Sequence, residues 1–473
     1  MTFKKGILYG LSLITFILAG CVKNTVSPPN IVIFIVDDAG YADFGFMGSE
    51  DLETPNIDKL ATKGIIFTDA HVSASVCSPS RAGLLTGRYQ QRFGFECNDH
   101  RPDQGLDTSE VTLGTALQQA GYATAALGKW HVGWAREYQP NNRGFDYFFG
   151  FLPGNRGYYY DETKDDAPGH PKAIMENGEP STFEGYLTYV LADKAVEFID
   201  QVKDRPFFLY WSPNAVHTPM EANQEDLARY EGHPRQILAA MTWAMDQAIG
   251  EIIEKLEQEN LIENTLIFFL SDNGGAVWNQ SSNIPLKGFK GNKFEAGHRV
   301  PFIISWPEKL KGGRTFGGLI SSLDIFPTCL EAAGIEKTSG KSLDGVSLIP
   351  YLSNEKTGSP HESLYWRKEI MAAGRQGPYK LIRVDSLGYR MYNLDTDLGE
   401  TFDLSLSDTA RFRIMVKNLR TWEKEMMPPL WSEGIWNKVT WLIHEDLYNN
   451  RPVRVTTPDE MQKMIEENKE TKK

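Results

Sequence analysis

Ile31-Val32-Ile33-Phe34-Ile35-Val36 is an unbroken apolar run, rich in β-branched residues, that stops abruptly at two adjacent carboxylates, Asp37 and Asp38. A run of this length with no polar alternation reads as a strand buried on both faces, the pattern of a parallel sheet. Residues 122–127, 207–211, 266–270 and 300–306 repeat the pattern. Helical segments are expected between them at 112–120, 186–202 and 235–256. Alternation of this kind predicts an α/β fold: a large, mostly parallel central sheet flanked by helices.

Four of the apolar runs lead into polar residues. Asp37 and Asp38 follow the first. Lys129 and His131, within Gly128-Lys129-Trp130-His131-Val132-Gly133, follow the second. His217 follows the third, and Asp272 with Asn273 the fourth. One such ending carries little weight. Four of them are what a site along the carboxyl edge of a parallel sheet would produce. Adjacent carboxylates at a buried strand end are costly unless neutralised, and a metal ion is the natural partner. Asp37, Asp38, Asp272 and Asn273 are hard oxygen donors, which suit Ca²⁺ ahead of Mg²⁺, and either ahead of zinc.

The remaining chain divides by texture. Residues 1–20 have two early lysines, a short apolar core and small residues before Cys21, the shape of a secretory signal. The ending Leu18-Ala19-Gly20-Cys21 resembles a bacterial lipobox. That resemblance implies cleavage before Cys21, lipidation of Cys21 and export to a bacterial membrane, on the periplasmic or outer-membrane face. Residues 21–29 read as a tether and 30–360 as the α/β domain. Residues 361–473 read as an α+β part with a small antiparallel sheet, a helix over 410–426 and a charged end that is either a frayed helix or disorder. Residues 152–181 read as a long surface loop that shapes the site. Sixty-two acidic against 49 basic residues, net −13, argue against a nucleic-acid partner. A local basic pocket can still hold an anion. Cys97 and Cys329 are expected as free thiols, with a disulfide between them the less favoured alternative.

The string Cys77-Ser78-Pro79-Ser80-Arg81-Ala82-Gly83-Leu84-Leu85-Thr86-Gly87-Arg88 sits where a loop gives way to a helix. Pro79 is compatible with a first helical turn. This string resembles the signature of the type I sulfatases, within the alkaline phosphatase superfamily, in which the cysteine is oxidised to formylglycine. The resemblance extends to Gly128-Lys129-Trp130-His131, His217 with Pro219, Ser271-Asp272-Asn273-Gly274, and Pro285-Leu286-Lys287-Gly288-Phe289-Lys290 running on to Arg299-Val300-Pro301. One departure is the Glu295-Ala296-Gly297-His298 segment before Arg299, where the family usually has two glycines and an aliphatic residue. His298 is left between a substrate contact and a packing role.

The resemblance implies the chemistry. Asp37, Asp38, Asp272, Asn273 and the modified Cys77 would hold one calcium ion. Formylglycine at residue 77 would supply the nucleophile, with Arg81 and His131 holding and deprotonating it. Lys129 and Lys290 would stabilise charge on the sulfate oxygens, and His217 would protonate the leaving oxygen. The implied partners are a sulfated oligo- or polysaccharide and a formylglycine-generating or sulfatase-maturating enzyme. An algal glycan such as ulvan or carrageenan stands ahead of a glycosaminoglycan as substrate. The competing readings are a phosphatase or phosphonate hydrolase of the same superfamily, and a non-catalytic lipoprotein that binds sulfated glycans.

Overall fold

The structure, a computed structural model, describes residue 2 and residues 27–98, 101–336, 341–455 and 457–470. The signal segment 1–20 and the lipidation site Cys21 lie outside the described residues.

The apolar runs fold as their composition dictates. Among the described residues ten strands form the central sheet. Its middle is four adjacent parallel strands in the order Thr265–Ser271, Asn30–Val36, Phe207–Ser212 and Ala123–Lys129. Tyr147–Phe151 continues the parallel arrangement beyond them. Phe302–Ser305 and Met175–Glu176 run against their neighbours, so residues 300–306, read as one more buried strand, enter the sheet antiparallel. The six apolar side chains from Ile31 to Val36 are wholly buried. Val32, Phe34 and Val36 point into one apolar layer, with Leu191 and Ile249 from the Leu187–Val202 and Gln236–Gln258 helices. Ile31, Ile33 and Ile35 point into the other, with Leu84 and Leu85 of the Cys77–Thr86 helix. At about 2 kcal/mol per buried side chain, this strand contributes of order 10 kcal/mol as an upper estimate. That magnitude lets the fold tolerate carboxylates at the strand's end.

A second sheet of four antiparallel strands, Ser363–Lys368, Met371–Gln376, Tyr379–Val384 and Gly388–Asn393, follows in the carboxy-terminal part. Successive side chains alternate between its faces. Ala372, Leu381 and Met391 pack under Met415, Leu419 and Trp422 of the Thr409–Glu423 helix. Trp366, Ala373, Ile382 and Val384 pack under Phe294 and the last two helices, Ile435–Tyr448 and Pro458–Glu470. The charged end of the chain is therefore a docked helix, because Met461, Met464 and Ile465 fall on one face and are buried. Cys97 and Cys329 are free and buried. Among the described residues no helix is long and apolar enough to cross a membrane.

One contact near the second sheet carries a pH dependence. His361 Nε2 lies 2.7 Å from Asp324 Oδ1. Burial opposes the imidazolium, but the Asp324 carboxylate outweighs it and raises His361 above its ordinary 6.5. The unfolded chain thus releases this proton first as pH rises. The contribution is complete below about pH 6.5 and fades as pH passes the folded value. His361→Gln is expected to cost about 1.5–3 kcal/mol in acid and less in base. Melting temperatures of both proteins across that range check it, and a gap that widened with pH would contradict it.

Candidate active site

The four middle strands end side by side, and their ends supply the polar groups. Asp37 and Asp38 leave the Asn30–Val36 strand and are fully buried. Asp38 has φ +62° and His131 φ +55°, a left-handed backbone that costs a side-chain-bearing residue about 1–3 kcal/mol and clusters at working sites. Lys129 is the last residue of its strand and follows Gly128, whose φ is +102°. A Cβ on Gly128 would stand 2.1 Å from the Ser212 carbonyl oxygen, so only glycine lets these strands approach so closely.

Cys77 is the first residue of its helix, and every residue from Cys77 to Thr86 is buried. Its Sγ lies 3.7 Å from Asp37 Oδ1 and 3.9 Å from Asp38 Oδ1. One turn on, Arg81 points back along the helix. Its Nε and Nη2 reach Asp272 Oδ2 at 2.9 and 2.8 Å. Its Nη1 donates to the Lys129 carbonyl at 3.2 Å and to the Ser212 hydroxyl. Lys129 Nζ donates to Asp37 Oδ2 at 2.6 Å, and Lys290 Nζ meets Asp38 Oδ1 at 2.7 Å. Asn273 Nδ2 donates to Asp38 Oδ1 at 2.8 Å. His217 Nε2 stands 3.6 Å from Asp38 Oδ2. His131 lines the same cavity as Cys77, His217 and Lys290. Gly154 leaves room for its ring, since a Cβ there would come within 2.6 Å of His131 Cε1 and Nε2. The expected site residues thus converge on one place from segments up to 253 positions apart in the chain.

Their ionisation follows from burial. Burial pushes Asp37 up to about 7, helped by Asp272 and Asp38 and opposed by Lys129. Asp38 is equally buried, but the Lys290 and Lys129 ammonium groups outweigh that and hold it below the usual carboxylate range. Burial also drives the Cys77 thiol upward, with Asp272 adding to it. As a plain thiol this residue stays protonated at neutral pH, unlike the low-pKa cysteines used as nucleophiles. Burial and the Lys290 ammonium depress His217 to about 3, so its ring is neutral. Its Nδ1 lies 2.7 Å from the Thr218 carbonyl, which places the proton there and leaves Nε2 with a lone pair.

The donor set fits a metal. Ligand atoms of Asp37, Asp38, Cys77 and His217 all lie within 4.8 Å of one another. Asn273 Oδ1 is buried and finds no hydrogen-bond partner among the described residues, the state of an oxygen that a cation would use. Asp272 is engaged by Arg81. Three buried carboxylates face two lysines and an arginine, so their formal charges cancel. A divalent cation would turn the site positive, as an anionic ester requires.

Several further residues support this geometry, among them Asn98, Tyr158, Arg143 and Arg156, whose segments read from the sequence as specificity loops or solvated loops. Ser212 receives Arg81. Asn98 Oδ1 accepts the Ser78 N–H at the start of the Cys77 helix at 3.2 Å. Tyr158 Oη donates to the carbonyls of Asn214 at 2.6 Å and His217 at 2.9 Å, holding the His217 loop. Part of the 152–181 loop is therefore core and not surface, with Arg156 buried against Asp166 at 2.7 Å. Arg143 is likewise buried, donating to the carbonyls of Leu106, Asp107 and Glu110. His298 packs: it is wholly buried, stacks on Trp366 with ring centroids 3.9 Å apart, and meets His71 Nδ1 at 3.0 Å. The nearby Glu295 carboxylate accepts from Lys380 at 2.9 Å. Trp431 and Trp441 also pack, against Phe95 and Ser386, while Trp134 and Trp278 are the indoles that line the cavity.

A parallel sheet with a buried cation-and-carboxylate centre at its carboxyl edge, under a helix-start residue open to a cavity, defines an α/β enzyme that handles an anionic group. The Sulfatase family model matches residues 29–335, and a second, described as N-sulphoglucosamine sulphohydrolase, C-terminal, matches residues 290–421. N-acetylgalactosamine-6-sulfatase of Canis lupus familiaris is 35% identical over 381 residues, 75% of this chain and 71% of its own. The crystal structure of Ps i-CgsB aligns with a TM-score of 0.82 and 36% identity over 88% of this chain and 97% of that one. A structure of the same protein in complex with k-i-k-neocarrahexaose aligns with a TM-score of 0.81 and 35% identity, over 88% of this chain and 97% of that one. The chain belongs to the sulfatase family and is a sulfuric ester hydrolase.

Proposed function

We propose that this enzyme removes sulfate from a sulfated carbohydrate, with carrageenan-type oligosaccharides ahead of glycosaminoglycans. The observation that carries the reading is the cavity lined together by Cys77, His131, His217 and Lys290, above the buried Asp37, Asp38 and Asp272. The neocarrahexaose bound by a relative that matches 88% of this chain supports the choice of sugar.

In this reading Asp37, Asp38, Asp272 and Asn273 hold a calcium ion, which supplies positive charge beside the sulfate when bound. Residue 77 works as formylglycine, which supplies a hydrated aldehyde as nucleophile. Because Cys77 is 1% exposed, the maturing enzyme must reach it before the sheet closes over it. Arg81 and His131 hold and deprotonate the nucleophile. Lys129 and Lys290 turn from the carboxylates towards the sulfate oxygens. His217 becomes the acid for the leaving oxygen only once an anionic ester raises its affinity for a proton. Residues 30–360 carry the catalytic centre and residues 361–473 the second sheet and its helices. Lipidation at Cys21 and a place on a bacterial membrane rest on the amino-terminal sequence alone.

The test is a panel of neocarra-oligosaccharides, N-acetylgalactosamine-6-sulfate, an aryl sulfate and the matching aryl phosphate. Sulfate release from a sugar, with sulfate preferred to phosphate by at least tenfold in kcat/KM, is the expected result. A preference for the phosphate would overturn the proposal.

A further inference from the structure

The last two helices, Ile435–Tyr448 and Pro458–Glu470, lie beyond both family matches, which end at residues 335 and 421. They nevertheless line the cavity that contains Cys77. Val439, Thr440 and Ile443 come from the first helix, and Asp459, Met461 and Gln462 from the second.

These helices are not a loose appendage. Val439, Ile443 and Met461 belong to the apolar cluster that includes Trp366 of the second sheet and Phe294. The start of the second helix is locally specified. Thr457 Oγ1 accepts the Glu460 N–H at 3.2 Å, and Glu460 Oε2 accepts the Thr457 N–H at 3.1 Å. That reciprocal pair is a capping box, with a proline at the first helical position. Met461, Met464 and Ile465 then fix which face is buried, and Asp459 and Gln462 fall on the exposed side. The helix therefore presents a defined surface to the cavity.

That surface combines apolar side chains with a hydroxyl, a carboxylate and an amide. A sugar ring has matching chemistry, with C–H faces and a rim of hydroxyls. Apolar walls with a few placed hydrogen-bonding groups are how small-molecule sites fix orientation. Resting on the sulfatase reading above, we propose that these two helices form the wall that selects the sugar. Asp459 and Gln462 bond its hydroxyls, while Val439, Ile443 and Met461 cover its apolar face.

The double substitution Asp459→Ala with Gln462→Ala tests this at exposed positions, where folding is not at stake. kcat and KM are measured separately for a sulfated oligosaccharide turned over by the wild type and for a small aryl sulfate. The ratio of the two kcat/KM values is expected to fall at least tenfold, through a higher KM for the oligosaccharide. A ratio within twofold of wild type, or equal losses on both substrates, overturns the proposal. Calorimetric titration of the same oligosaccharide into the Cys77→Ala protein, with and without the double substitution, repeats the comparison without turnover. A tenfold weaker affinity supports the wall even if the sulfatase reading fails. Unchanged affinity, or no binding at all, rejects the wall.

Discussion

Cys77→Ala is expected to lower turnover of a sulfate ester by roughly 10⁴-fold or more, the scale seen when a nucleophile is removed from an otherwise intact site. The fold should survive, because alanine is a good helix former and residue 77 is the first of its helix. Cys77→Ser, although closest in shape, should fail as badly wherever the producing cell lacks a serine-oxidising enzyme. A cell that has such an enzyme would rescue the serine variant and not the alanine one. The reason lies in the site. Burial and the neighbouring carboxylates keep an unmodified thiol protonated, so in the proposed mechanism the cysteine serves as a precursor and not as the working group. Peptide mass spectrometry across residue 77 gives an independent readout, with the oxidised form expected in active protein. Full turnover by the alanine variant would end this mechanism.

Lys380→Met should be the most damaging single change to stability, at about 3–5 kcal/mol. Lys380 Nζ is wholly buried, 2.9 Å from Glu295 Oε1 and 3.1 Å from Glu400 Oε1. It joins the second sheet to the segment that precedes Arg299. Methionine fills the volume and removes the ammonium, leaving two buried carboxylates with Arg299, 3.3 Å, and Arg375, 3.4 Å from Glu295, as the nearest remaining cations. Burial, then Glu295, push Glu400 up to about 7 against the pull of Lys380. Between the ordinary carboxyl range and that value the folded state holds a proton that the unfolded chain releases, so stability falls as pH rises. Without Lys380 the window widens, and the deficit should grow with pH. Urea unfolding at two pH values checks both points. A loss under about 1 kcal/mol at the higher pH would mean that this network does not hold the two sheets together.

The legible parts of the site were those with a strand-end signal. Asp37, Asp38, Lys129, Asp272 and Asn273 each lie within three residues of the end of an apolar run, and the run's length placed them at one edge. The loop place of Tyr158 and the strand-end place of Ser212 did not reveal their partners, because a tyrosine in an irregular loop and a serine at a strand end are common everywhere. Their roles depend on what lies across the fold: the Asn214 and His217 carbonyls for one, the Arg81 guanidinium for the other. Arg143 and Arg156 carried no mark of burial either. An arginine in a polar loop reads as exposed, yet Arg143 is buried by carbonyls of residues 106–110 and Arg156 by Asp166 within its own loop. The charged carboxy terminus misled for a similar reason. Its net polarity hid three apolar residues on one helical face, which bury only because the second sheet offers a complementary surface.

Periodicity and the Cys77-to-Arg88 string by themselves determined the α/β class, the parallel strands at the centre and the identity of the groups that meet there. Those are local properties: burial on both faces of a strand and a helix start after a loop are written in a few consecutive residues. Tertiary structure alone decided the antiparallel entry of Phe302–Ser305, the neutral state of His217 and the closure of the cavity by the last two helices. Each depends on groups distant in sequence, and the electrostatic cost of a buried charge is set by which partners the completed fold brings within a few ångströms.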